Sequence, residues 1–121
     1  MDKDLSISGG DGLQRYLDRA EVLRCTVEQL RKDLALGETD LVCPVPGDTA
    51  FEALRGKVHP VLLTLDDRGA DALKVAMYRV DIPEAHLYRT MARGGLHALA
   101  GEVVLRALQK VLTRMRHAGR F

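Results

Sequence analysis

From Leu13 to Leu34 the apolar positions fall three and four residues apart: Leu13, Tyr16, Ala20, Leu23, Val27, Leu30 and Leu34, with Leu17 widening the stripe. Charged side chains such as Arg15, Asp18, Glu21, Arg24, Glu28, Arg31 and Lys32 take the positions between them. Such spacing puts every apolar member on one side of an α-helix. It predicts a long first helix from about Asp11 to Leu36, capped by Asp11 or Gly12 and stopped at Gly37.

Residues 37–48 read as a connection, because Pro44 and Pro46 hold Cys43 and Val45 extended. A brief strand over 40–45 would have no second strand to pair with. Asp48 or Thr49 then caps a helix from Ala50, with Phe51, Leu54 and Val58 on one face. Pro60 either kinks this helix or starts the next, which carries Val61, Leu62 and Leu65 to about Gly69. Asp71 is the expected cap of a helix that turns Leu73, Ala76, Met77 and Val80 inward. Asp81, Pro83 and Glu84 suit the start of another, with Glu84 placed as a capping-box acid. That helix runs through Leu87 and Met91 to Gly94-Gly95. A last helix, about Leu96 to His117, has a wide apolar face that includes Leu99, Val103, Leu108, Val111, Leu112 and Met115.

The expected fold is therefore all-α: a compact bundle of about five helices with long first and last helices. Residues 1–10 form an expected flexible leader and residues 11–121 a single helical domain. Composition agrees. Leu and Ala dominate, only 4% of residues are aromatic, and strands prefer β-branched and aromatic side chains. A chain of 121 residues, 46% apolar and 29% charged, has the size and balance of one globular domain. No stretch nears the roughly 20 apolar residues of a membrane span, and the first residues lack a secretory pattern. Cys25 and Cys43 are too few for a disulfide framework. A cytoplasmic protein with free thiols, not engaged with membrane, is expected.

The segment Met77-Tyr78-Arg79-Val80-Asp81-Ile82-Pro83-Glu84, with the later segment from Leu105 to Arg114, resembles a group of short bacterial proteins of no known activity. These share a Tyr-Arg-Ile-Asp-x-x-Glu segment and an Arg-x-x-Gln-Lys-x-x-x-Arg segment near the C-terminus. The resemblance covers the second half of the chain. It implies a helical cytoplasmic protein and carries no activity or site residue with it.

Charge is unevenly spread. The net value is +1, yet residues 94–121 hold five basic side chains and one acidic. Arg106, Lys110 and Arg114 are four apart and share a helix face, which Arg116 and Arg120 extend. Such a row would suit nucleic-acid phosphates or an acidic protein partner. It also suits a helix C-terminus, where cations complement the macrodipole. The first-helix stripe of Leu13, Tyr16, Leu23, Val27, Leu30 and Leu34 is a candidate self-association seam, and equally one wall of a bundle.

Candidate chemistry is sparse. Tyr78, Arg79, Asp81 and Glu84 would suit acid–base work only if a buried tyrosine met a carboxylate; the plainer expectation is a half-buried Tyr78 and a capping Asp81. His59, His86, His97 and His117 lack metal-ligand spacing, and nothing brings Cys43 to a histidine. Arg93-Gly94-Gly95 suits a tight corner better than an anion site. No catalytic residue, metal ligand or cofactor is expected. The sequence points to a small non-enzymatic helical interaction module, a homodimer by expectation. A nucleic-acid-binding protein using the basic row is the alternative, and a small enzyme the third reading.

Overall fold

In the computed structural model the described residues are 10–119. Most of the expected leader, the Asp11 side chain and Arg120 lie outside what is described. Among the described residues there are five α-helices: α1 (Gly10–Gln14), α2 (Ala20–Leu34), α3 (Ala50–Arg68), α4 (Ala70–Val80) and α5 (Glu84–His117). A 3-10 turn, Arg15–Asp18, joins α1 to α2, and no strand occurs among the described residues. No helix among them is long and apolar enough to cross a membrane. The all-α bundle is thus the fold.

The centre of the bundle is α5, against which every other helix packs. Its later residues are buried on nearly all sides: Leu99, Ala100, Val103, Val104, Leu105, Ala107, Leu108, Val111 and Leu112. A helix enclosed all round needs apolar residues all round, which is why its face reads so wide. From α3, Phe51, Leu54, Val58 and Leu62 are buried; from α4, Leu73, Ala76, Met77 and Val80. Each fully buried Leu or Val of this set contributes on the order of 1.5–3 kcal/mol by leaving water.

Two glycines shape α5. Gly95 has φ 66° and ψ −158°, a region open essentially to glycine alone. The helix therefore consists of two limbs, 84–94 and 96–117. The second folds back on the first, since His86 and Glu102, 16 residues apart, meet at 3.1 Å. In a straight helix that separation would span roughly 24 Å. The corner read at Gly94-Gly95 stands where expected.

The helix ends at Arg19, Ala35, Gly69 and Asp81 differ from the expectation. The first helix is not continuous: Arg19 is extended (φ −94°, ψ 120°) and α2 restarts at Ala20. The Leu17 carbonyl at this break accepts from Gly47 N at 3.3 Å, so Leu17 is buried and Ala20 is exposed. At the far end α2 stops at Leu34 with Ala35 left-handed (φ 56°), before Gly37. Of the two alternatives at Pro60, a new helix does not start there, since α3 continues through it. In the α4–α5 turn, Asp81 does not cap α5. It is the left-handed C-cap of α4 (φ 72°), where Ile82 N donates to Met77 O at 2.9 Å and Asp81 N to Tyr78 O at 3.1 Å. That pattern closes a helix end with its C″ and C′ amides. The N-cap of α5 is Pro83, that of α4 is Gly69 and not Asp71, and the expected capping box does not form.

Candidate functional site

The first-helix stripe lies inside the chain. Leu13, Leu23, Val27, Leu30 and Leu34 are buried in the common core and Tyr16 packs against it half-buried. In this structure the face that would pair with a second copy already covers α5.

The basic row is partly spent as well. Lys110 Nζ donates to Asp33 Oδ2 of α2 at 2.8 Å and to the Arg79 carbonyl at 3.1 Å, with Asp81 Oδ2 at 3.5 Å. Its side chain is 15% exposed. Arg114 donates to Gln29 Oε1 at 2.7 Å, and Gln29 Nε2 donates to Asp33 Oδ1 at 3.0 Å. One continuous polar seam thus ties α2, α4 and α5 together. Arg106 turns to Gln109 Oε1 at 3.2 Å, Arg116 is exposed, and Arg120 lies outside the described residues. The two segments that carry the sequence resemblance meet here, through Lys110 on Arg79 and Asp81.

Histidines do come together, in a way no spacing shows. His59 of α3 and His97 of α5 stack edge to face with ring centroids 5.8 Å apart. The Arg55 guanidinium lies 2.9 Å from His97 Nε2 and flat over Gly101, where a Cβ would stand 2.7 Å from Nη2. Among the described residues no group of three His, Cys, Asp or Glu side chains could hold a metal ion. Cys25 and Cys43 are free, and Cys43 is exposed.

An open pocket lies where α4 turns into α5. Exposed apolar side chains gather there: Tyr78 is 83% exposed and Tyr88 52%, with Val75 beside them in sequence. Tyr78 lies on the rim of the pocket, about 230 Å³ in volume, with Lys74, Pro83 and Glu84, and the buried Met77, Ile82 and Leu87 form its walls. Drug-sized ligands need roughly 300–1,000 Å³, so this space suits one apolar side chain. The half-buried tyrosine expected at position 78 is instead the most exposed large apolar side chain among the described residues. Placing Met77 and Val80 in the core turns residue 78 outward.

A tyrosine–carboxylate pair exists on the rim, but through Tyr88. Its hydroxyl donates to Glu84 Oε2 at 2.8 Å, Lys74 Nζ lies 3.0 Å from the same oxygen, and the ammonium sits 5.6 Å from the Tyr88 ring centre. The Tyr88 hydroxyl, then Lys74, hold the Glu84 carboxyl below its usual range. Tyr88, then Glu84, raise the Lys74 ammonium above its own. Both shifts favour the charged forms. Proton transfer near neutrality needs the opposite, a carboxyl pushed up or an amine pushed down.

Comparison with known proteins returns no match to this chain: no family model, no curated protein and no solved structure.

Proposed function

We propose that this chain is a small non-enzymatic helical interaction module that self-associates in the cytoplasm. The observation that carries the reading is the α4–α5 corner, where Tyr78 stands in solvent on the rim of an apolar pocket and Tyr88 is bonded to rim residue Glu84. Tyr78, at 83% exposure, is left far more open than a core role requires. Tyrosine is enriched at protein–protein hot spots because its ring buries a large area at low entropic cost. The rim charges point the same way, since Lys74 and Glu84 neutralise each other beside the apolar floor. The two free cysteines accord with a reducing compartment.

Light scattering after size exclusion, over a hundredfold range of concentration, tests this reading. The expected result is a mass of at least two chains that falls to one chain in Tyr78→Glu, with helicity unchanged. A wild-type chain that stays monomeric throughout overturns self-association. Co-eluting nucleic acid that leaves in high salt would return the basic row to first place.

A further inference from the structure

We propose that residues 96–117 are exchangeable between two copies of this chain about Gly94-Gly95, so that the later limb of α5 fills the core of its partner. This goes beyond the corner reading, since it needs neither Tyr78 nor the pocket.

The hinge is a single residue. Of residues 84–117 only Gly95 has non-helical dihedrals, so one residue separates the folded-back form from a continuous helix. Straightened, these 34 residues would extend roughly 50 Å and carry the later limb out of its own bundle. Both glycines bear on the choice between the two forms. In the folded-back form a Cβ on Gly94 would stand 2.7 Å from that of Ala98, and Gly95 occupies a region nearly closed to other residues. In a straight helix alanine is the best residue at either position. Hinges too short to relax are where elements pass from one copy to another.

What the limb would leave in its own chain it would find in the other. Lys110 on Asp33, Arg114 on Gln29, His97 on Arg55 and Glu102 on His86 each join residues 96–117 to residues 10–94. Leu99, Val103 and Leu108 likewise share one core with Leu23, Leu30 and Leu54. Exchange re-forms these contacts between chains and asks for no new surface. The stripe of Leu23, Val27, Leu30 and Leu34 then serves as the wall of a bundle and as the seam between two chains at once. Association entropy opposes exchange, so high concentration favours it. Because the limb is buried, it must leave the core before it can pass across, and the route is refolding.

Isotopically light and heavy chains, unfolded together and refolded at high concentration, test this. Carbodiimide then joins Lys110 to Asp33, which already stand 2.8 Å apart, and mass spectrometry reads whether the cross-linked peptide comes from one chain or two. The folded-back chain gives unmixed peptides only, whereas random pairing in an exchanged dimer makes about half of them mixed. Gly94→Ala combined with Gly95→Ala, which favours the straight helix, is expected to raise the mixed fraction several-fold over the wild-type chain. A dimer of that variant with unmixed peptides, or a variant that stays monomeric, overturns exchange and leaves the corner reading standing. Mixed peptides after refolding, beside a never-unfolded wild-type chain that is monomeric, support exchange and overturn the corner reading. Should the double variant fail to fold, a short Gly-Ser insertion between Gly94 and Gly95 takes its place, since a relaxed hinge favours folding back. The mixed fraction must then fall below that of the wild-type chain; an unchanged fraction, or a wild-type chain with no mixed peptide, overturns the proposal.

Discussion

Lys110 and Asp33 stand 77 residues apart in the chain and 2.8 Å apart in space, and their contact joins the last helix to the second. Asp33 is nearly buried and its other oxygen is taken by Gln29. Removing one partner of such a pair leaves a charge without compensation, which costs more than the pair contributes. Lys110→Met is expected to destabilise by about 3 kcal/mol. Adding Asp33→Asn, which removes the stranded charge and keeps an acceptor for Gln29, should recover much of that loss. Urea denaturation of both variants checks it, and a double variant no more stable than the single one contradicts it.

Leu23 and Leu30 are fully buried within the chain. Placing a carboxylate there strands it in the core. Leu23→Glu or Leu30→Glu should therefore unfold the domain, read as lost helicity in circular dichroism. A folded monomer from either variant would show that the face is not needed by the core.

The fold-back of α5 depends on a backbone that side-chain-bearing residues avoid. Gly95→Ala should cost about 1–3 kcal/mol. Gly94→Ala should also destabilise, for another reason, because its Cβ would stand 2.7 Å from that of Ala98. Thermal unfolding of the two variants measures both. Wild-type melting in Gly95→Ala would mean that the corner has another conformation.

Ala35 takes a left-handed conformation without a side-chain reason. Ala35→Gly should therefore stabilise by roughly 0.5–1 kcal/mol. Asp81 is also left-handed, but its carboxylate faces Lys110, so Asp81→Gly should gain less or lose. Denaturation midpoints order the two.

The Tyr88 hydroxyl is the first cause of the lowered Glu84 pKa. Tyr88→Phe should move it back up toward the ordinary range, followed by NMR of the Glu84 side chain through an acid titration. A folded-state pKa below the unfolded one means stability that is present above the unfolded value and lost as pH falls through the folded value. The wild-type chain should thus keep this contribution to lower pH than the variant. Lys74, shifted upward, should hold its share until strong alkali. An unchanged Glu84 titration in the variant would remove the hydroxyl from the rim.

Sequence alone determined the all-α class, the inward faces of α2, α3, α4 and the later limb of α5, and the corner at Gly94-Gly95. Those features are local. Side-chain period marks which face of a helix is buried, and paired glycines mark where a helix cannot continue. Tertiary structure alone decided which partner each face meets. A stripe such as Leu23, Val27, Leu30 and Leu34 has the same spacing whether it covers α5 or a second chain. Lys110 reads as a surface cation until Asp33 arrives from 77 positions away. Arg19 breaks the first helix although the apolar period runs on past it, because Leu17 and Gly47 meet there. The α4–α5 pocket was equally hidden. Its residues carry no motif, and only the turn closed by Asp81 brings Met77, Ile82 and Leu87 around one space while leaving Tyr78 outside.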